Sequence, residues 1–583
     1  MAQAVLAQMA HGLQPQSSST TGPRCICSDV HRPGERSWQN LSYELNCSSG
    51  TVQSSGTPKD ILRGVLLSRL LLWTAVQHWR LWQTGPTELS GKQRMKLWQL
   101  SSPIECIDHF LSHAWCSSGL MKYIQLTLRA HFVCGVCAGI FTLVVLVYLG
   151  ACNALPAWRS CPTTYFQDQP EVPDSFDTAG WCTAFGPSLA LLSLFCSPLM
   201  PRPRRCDPVQ FLDTVCINQA DEVLKAQGIR ALGDFLQHSR ELHVMWSPQY
   251  FSRLWCVYEL ASFLHDNDMG QIRIHPLFME SALLASFIMS WFGAALALVA
   301  FSLSFFQSDT FRTWIFVEIV AFFPYIFLMH LMRRFMAEKV ALKKQLQKFD
   351  VRQADCSDSN DRIFIMHSIR VWYGSEEAFN KQVRGKLRPL VLQKLRASDL
   401  QYHVALISSS LPWVCLLLDA LVAYANAGAP WWLLASYGIA GFDSYLILEP
   451  SFLKLLFLLA ERSSARQSTR ARDLGISVLL FIAWLFVRAT IFGMRFVWVR
   501  SQLANVLLAS FAYIVVSVSF AWTVFRVDLH LDEEHCNKGH ISGPVSRVGD
   551  SDNEETESDS GGTDDESTES VADTTTGSSD EGH

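Results

Sequence analysis

Charge is scarce in this chain. Only 17% of its 583 residues are Asp, Glu, Lys or Arg, against about 25% in an ordinary soluble domain. The shortage excludes a chain built wholly of water-soluble domains. Basic residues are also missing at both ends. None precedes Arg24, so the N-terminus lacks the positive region of a cleaved signal peptide and is expected to stay cytosolic. None follows Arg547, and from Asp550 onward there are thirteen acidic residues. The formal net charge of −5 therefore hides a body of +8, an excess suited to anionic lipid rather than to nucleic acid, which is not an expected partner. No glycine-rich phosphate loop, kinase signature or metalloprotease motif occurs, and no cofactor is expected. The 17 cysteines form no disulfide framework.

What the chain has instead is apolar residues in blocks, 49% of the total. Runs long enough to cross a bilayer occupy residues 132–151, 281–306, 314–332, 404–424, 431–448, 476–492 and 503–522. The run 184–200 is shorter and carries Pro187 and Pro198, yet it brings the count to eight. With eight, the basic stretches 333–348 and 462–472 and both termini face the cytosol. The loop 152–182 then lies outside, where Cys152, Cys161 and Cys182 have the means to form one disulfide.

The resulting plan has eight parts. Residues 1–60 are a disordered lead and 61–103 an amphipathic region, either lying on the membrane surface or packed on the cytosolic domain. A cytosolic domain is split into 104–131 and 208–276 by a membrane hairpin, 132–200. A second hairpin spans 281–332, a cytosolic helical region 333–402, four more spans 403–525, and an acidic disordered tail 527–583. The fold class expected is an α/β cytosolic sheet domain joined to a mainly α-helical polytopic region, an integral, multi-pass arrangement in the lipid bilayer.

The chemistry concentrates in the split domain. IECIDHFLSHAW, residues 104–115, reads as a buried strand ending in a polar turn, followed by a helix at 119–131. After the hairpin come a strand from Val209 with Asp213 near its end, a helix at 221–239 and a strand at 242–246. The segment SPQYFSRLWCVYELASFL then feeds a helix, and a short strand at 271–275 follows. Alternation of strand and helix predicts a parallel doubly wound sheet, whose ligands sit beyond the carboxyl ends of the strands. Ser112, His113, Asp213 and Ser247 fall at those ends.

These residues resemble the Toll/interleukin receptor (TIR) superfamily, especially its plant-type members. The likeness rests on Phe110-Leu111-Ser112, on a strand ending at Asp213, and on Ser247, Tyr250, Trp255, Cys256, Glu259 and Leu260, with Arg253 where the family has serine. The family's loop after the second strand is replaced by CINQAD, residues 216–221, and the fifth strand is not evident. The resemblance implies a flavodoxin-like (TIR-like) fold and partners that are other TIR-like domains or further copies of this chain. Some TIR domains cleave NAD, and by position their catalytic carboxylate is Glu259, with NAD as substrate rather than cofactor. Breaking the nicotinamide–ribose bond builds positive charge on the sugar, which a carboxylate stabilises. Trp255 would wall the site; His113 and Trp115 would contact the nucleotide and Asp213 a hydroxyl, with Ser112 beside them.

Plainer roles compete at each position. Trp255, Cys256 and Leu260 suit the buried face of a helix, with Glu259 merely hydrogen-bonded; His113 suits packing and Asp213 a loop cap. Many TIR domains only assemble, so a non-enzymatic regulatory domain on a transporter or channel is the alternative. The spacing of Cys106, His109, His113 and Cys116 superficially suggests zinc, but Cys106 and His109 point to opposite faces of a strand, and no metal site is expected. Within the spans, Arg488 needs an acidic partner, Asp419 or Asp443.

Overall fold

The computed structural model describes residues 62–77, 82, 88–162, 173–200, 207–267, 271–303, 310–397, 402–464, 470–501 and 512–526. The predicted leader 1–60 and the tail 527–583 lie outside these residues.

The central strands are buried along most of their length. The strands are β1 (Arg63–Leu66), β2 (Ser102–Pro103), β3 (Ile107–His113), the small hairpin β4 (Arg159–Pro162) and β5 (Ser175–Thr178), β6 (Val209–Phe211), β7 (Ser239–Trp246) and β8 (Ile272–Pro276). Six form one sheet in the order β2-β1-β6-β3-β7-β8. The four strands β6, β3, β7 and β8 run parallel, with Phe110 opposite Phe211 and Leu242, while β1 joins antiparallel to β6 and β2. Because β3 precedes the apolar hairpin and β6 follows it, the two halves of the split domain meet in one sheet, and the helices between them leave and return on the same side.

The segment 61–103 joins the sheet, where β1 pairs with β2 and β6. Its start is strand β1, followed by the helix Leu67–Gln77, whose Leu70 and Leu71 are fully buried. Asp207 fixes that helix, accepting from the Ser68 amide at 3.0 Å and from its hydroxyl. Arg63 covers the Trp98 ring at 4.0 Å and donates to the Ser101 carbonyl. The charge completes the end of the helix Gly91–Trp98 and its following turn.

Five helices are long and apolar enough to cross a membrane: Gly119–Ala151, Trp181–Leu199, Leu277–Ala300, Tyr402–Asn426 and Ala471–Ile491. A sixth span exists if Ile315–Phe322 and Tyr325–Gln347, bent by 41°, act as one. The predicted span 431–448 is carried by Trp431–Phe442 and a π-helical turn, Asp443–Leu448. That at 503–522 falls partly outside the described residues, leaving the short helix Ala512–Arg526. Outward-facing Phe141, Leu479 and Phe486 are each more than two-thirds exposed, as a surface solvated by lipid requires. Gly135 and Gly139 let the helices Gly119–Ala151 and Trp181–Cys196 approach closely, since a Cβ at either would crowd Ala190. Cys152 and Cys182 are both free thiols, so the disulfide considered for the outer loop does not form.

Polar groups inside the bundle are paired, though not as expected. Asp419 bonds no arginine; it caps the helix Trp181–Cys196, accepting from the Cys182 and Thr183 amides at 2.9 and 2.8 Å. Asp443 accepts from Ser517 at 2.8 Å. Arg488 instead joins Glu449 and, at 3.3 Å, Glu318, with its guanidinium 3.6 Å over Phe322. These partners come from two other helices, Thr310–Phe322 and Glu449–Arg462, a proximity that hydropathy does not encode.

Candidate functional site

The first spanning helix begins on the sheet. Its first turn holds Lys122, fully buried, whose ammonium donates to the carbonyls of Trp82 and Ala114 at 2.7 and 2.8 Å. It thereby fixes the turn that follows β3. Sequence reasoning missed Lys122; a lysine one turn into an otherwise apolar helix was the available signal.

The period-two alternation of β3 sends Phe110 and Ser112 to one face of the sheet. The helix Leu254–Asp266 covers that face with Cys256, Leu260 and Phe263, spaced three or four residues apart as a helical stripe requires. Glu259 lies at the edge of the stripe and keeps partial exposure. Ser112 Oγ donates to Glu259 Oε2 at 2.5 Å and lies 2.6 Å from the Tyr250 hydroxyl. Ser112 has one proton, so when it donates to an ionised Glu259 the Tyr250 hydroxyl must donate to Ser112. The result is a directional chain, Tyr250 to Ser112 to Glu259. Tyr250 belonged to the quoted motif but was not assigned to the site.

Burial pushes the Glu259 carboxyl up to about 8; the Ser112 bond opposes the shift and the nearby Asp213 charge adds to it. No cation is bonded to it in the chain just described. The Asp213 carboxyl is also raised by burial, against hydrogen bonds from Trp115 and Thr214 and the charge of Lys122.

Of the residues predicted from sequence, the structure brings Ser112 and Glu259 into direct contact. Trp115 and Asp213 form a second pair, with the indole Nε1 donating to Asp213 Oδ2 at 2.7 Å. Asp213 also accepts from its neighbour Thr214's amide at 2.7 Å. His113 is buried edge-on against Trp82 at 5.6 Å, and burial holds its imidazole well below its ordinary range and hence neutral. Its backbone carbonyl accepts from the Cys256 thiol at 3.5 Å, which ties β3 to the Glu259 helix. Trp255 is turned elsewhere. Its Nε1 donates to Asp361 at 3.1 Å on the helix Ser359–Tyr373, and that helix also bonds the Ala261 carbonyl through Tyr373 at 2.7 Å.

The arrangement offers an exposed-edged carboxyl, a hydroxyl relay behind it and a second carboxyl nearby, all at the carboxyl ends of β3 and β6 or on the helix following β7. Such a group can accept a proton or stabilise developing positive charge. No family model, no curated protein and no solved structure matches this chain.

Proposed function

We propose that this is a multi-pass membrane protein of about eight spans, with a cytosolic TIR-like signalling domain that cleaves NAD at the nicotinamide–ribose bond through Glu259. The observation that carries the reading is the Ser112–Glu259 contact, which places a carboxyl without a bonded cation beside the carboxyl end of the central strand. Taken in chain order, the four parallel strands lie 2-1-3-4 across the sheet. That is the order of flavodoxin-like sheets, whose ligands bind where the winding reverses, between the first and third strands. Here those strands are β3 and β7, and Ser112 and Ser247 lie at their ends.

In this mechanism the pyridinium of NAD approaches Glu259 and favours its ionised form. As the glycosidic bond breaks, the carboxylate stabilises the oxocarbenium-like ribose, and Ser112 and Tyr250 hold it in orientation. Nicotinamide departs neutral, so no general acid is required; water then adds to the ribose cation and gives up a proton to solvent, leaving ADP-ribose.

The test is nicotinamide release from NAD by purified full-length protein in detergent, at high protein density, beside Glu259→Ala. Release by the parent and not by the variant is expected. Release should climb as pH rises toward about 8, because the protonated form of Glu259 is inactive. Equal release by both proteins, or none by the parent, would remove the enzymatic reading. The remaining reading is an assembly or regulatory domain on a transporter or channel, favoured by the engagement of Trp255 with Asp361 instead of with the site.

A further inference from the structure

We propose that His109, Glu241 and His243 form a binding site for a divalent transition-metal ion, zinc foremost, on the face of the sheet opposite Glu259. The inference is independent of NAD chemistry.

Register brings the three together. β3 and β7 are hydrogen-bonded neighbours, with His109 opposite Glu241 and Leu111 opposite His243. Residues 109, 111, 241 and 243 therefore share one face, and the two imidazoles stack at 4.1 Å. His243 Nε2 lies 2.9 Å from Glu241 Oε2, and His109 Nε2 lies 4.0 Å from the same oxygen. All three ligand atoms fall within 4.8 Å of one another. Around a tetrahedral zinc with bonds of ~2.0–2.1 Å, ligand atoms sit roughly 3.3 Å apart. Small side-chain rotations close the difference.

Glu241 Oε1 takes Arg273 at 3.0 Å, which leaves Oε2 for the ion. His109 Nδ1 lies 2.9 Å from the Gln210 amide nitrogen, a donor, so ligation through Nε2 requires the Gln210 amide to turn over and accept from Nδ1–H with its oxygen. Of the other nearby cations, Arg129 is bound to Glu280 at 2.8 Å and Arg240 to Asp108 at 3.1 Å. His275 on β8 stands edge-on to His243 at 5.1 Å, is more than nine-tenths buried, and its Nε2 has no hydrogen-bond partner. A buried polar atom left unbonded is costly, and a coordinated water next to His243 would relieve it. The three ligands are partly exposed, so an ion can enter, and three protein ligands leave a fourth position for water. Two imidazoles and one carboxylate suit zinc better than calcium or magnesium, which prefer oxygen.

The experiment uses full-length protein in detergent, stripped with a chelator and titrated with Zn2+ against a chromogenic zinc indicator. Glu241→Gln and His109→Gln run in parallel, with helicity checked by circular dichroism. We expect one equivalent bound by the parent and an affinity at least tenfold weaker in both variants. Co2+ loading should give visible bands without thiolate charge transfer, which separates this site from the cysteines. Equal uptake by parent and variants, no uptake by the parent, or a thiolate spectrum for the single bound equivalent would each overturn the proposal.

Discussion

Two buried acidic clusters in this molecule solve the same electrostatic problem in opposite ways. In the helical bundle, Glu318 and Glu449 share Arg488, a neutralising cation clamped between them and stacked on Phe322. In the sheet domain, Glu259 has hydroxyls for company and another carboxyl nearby, and burial drives it toward its protonated form. A carboxylate that is paired stabilises relative positions of helices. One that is left unpaired costs stability and retains reactivity, the pattern expected where a group has work besides folding.

The largest effect should follow removal of the cation. Arg488→Met strands two carboxylates among apolar helices and is expected to destabilise the protein by about 3–5 kcal/mol. A steep fall in the thermal unfolding midpoint in detergent would show it, with substantial recovery when Glu318→Gln and Glu449→Gln are added. An unchanged midpoint would mean the triad is not formed.

Glu259→Gln should act in the opposite direction. Its folded-state pKa lies near 8, above the ordinary value of 4.5. Between those values the folded protein keeps a proton that the unfolded chain has lost, so this group's contribution to stability falls as pH rises through the window. Gln does not titrate. The variant should therefore unfold later than the parent at pH 8–9, by on the order of 1–3 kcal/mol, and match it near pH 4.5. A variant less stable at both pH values would place Glu259 among the paired carboxylates.

Smaller than the loss of the cation is the effect of Ser112→Ala. It removes the bonds to both Glu259 and Tyr250, at roughly 1 kcal/mol each. Because the bond to Glu259 favours the ionised carboxyl, its loss should also move the inflection of nicotinamide release to higher pH. A shift to lower pH would show that Ser112 holds the neutral acid instead.

Much of this was legible in the chain. Alternation in FLSH and the position of Asp213 located strand ends to within a few residues, because side-chain direction follows backbone period. Apolar run length located the first spanning helix and its return partner for a similarly local reason. What escaped were partners set by contacts across long sequence distances. Nothing local to Arg63 reveals the Trp98 ring beneath it. Trp255 read as a wall of the site because helical spacing put it one turn from Glu259, while Asp361 lies more than a hundred residues away. The spacing of Cys106, His109, His113 and Cys116 along one strand puts its residues on opposite faces, whereas the cluster of His109, Glu241 and His243 arises from register between β3 and β7.

By itself, then, the sequence determined the partition between apolar and aqueous parts, the alternation of strand and helix, and the residues that stand at the strand ends. Those properties depend on composition and period, which act over a few residues. Only the tertiary structure decided that β1 extends the sheet, that Ser112 rather than Trp255 contacts Glu259, that Arg488 serves Glu318 and Glu449, and that His109 meets His243. Hydrogen bonds and ion pairs act over about 3 Å, and which groups come that close is fixed by packing of the whole chain.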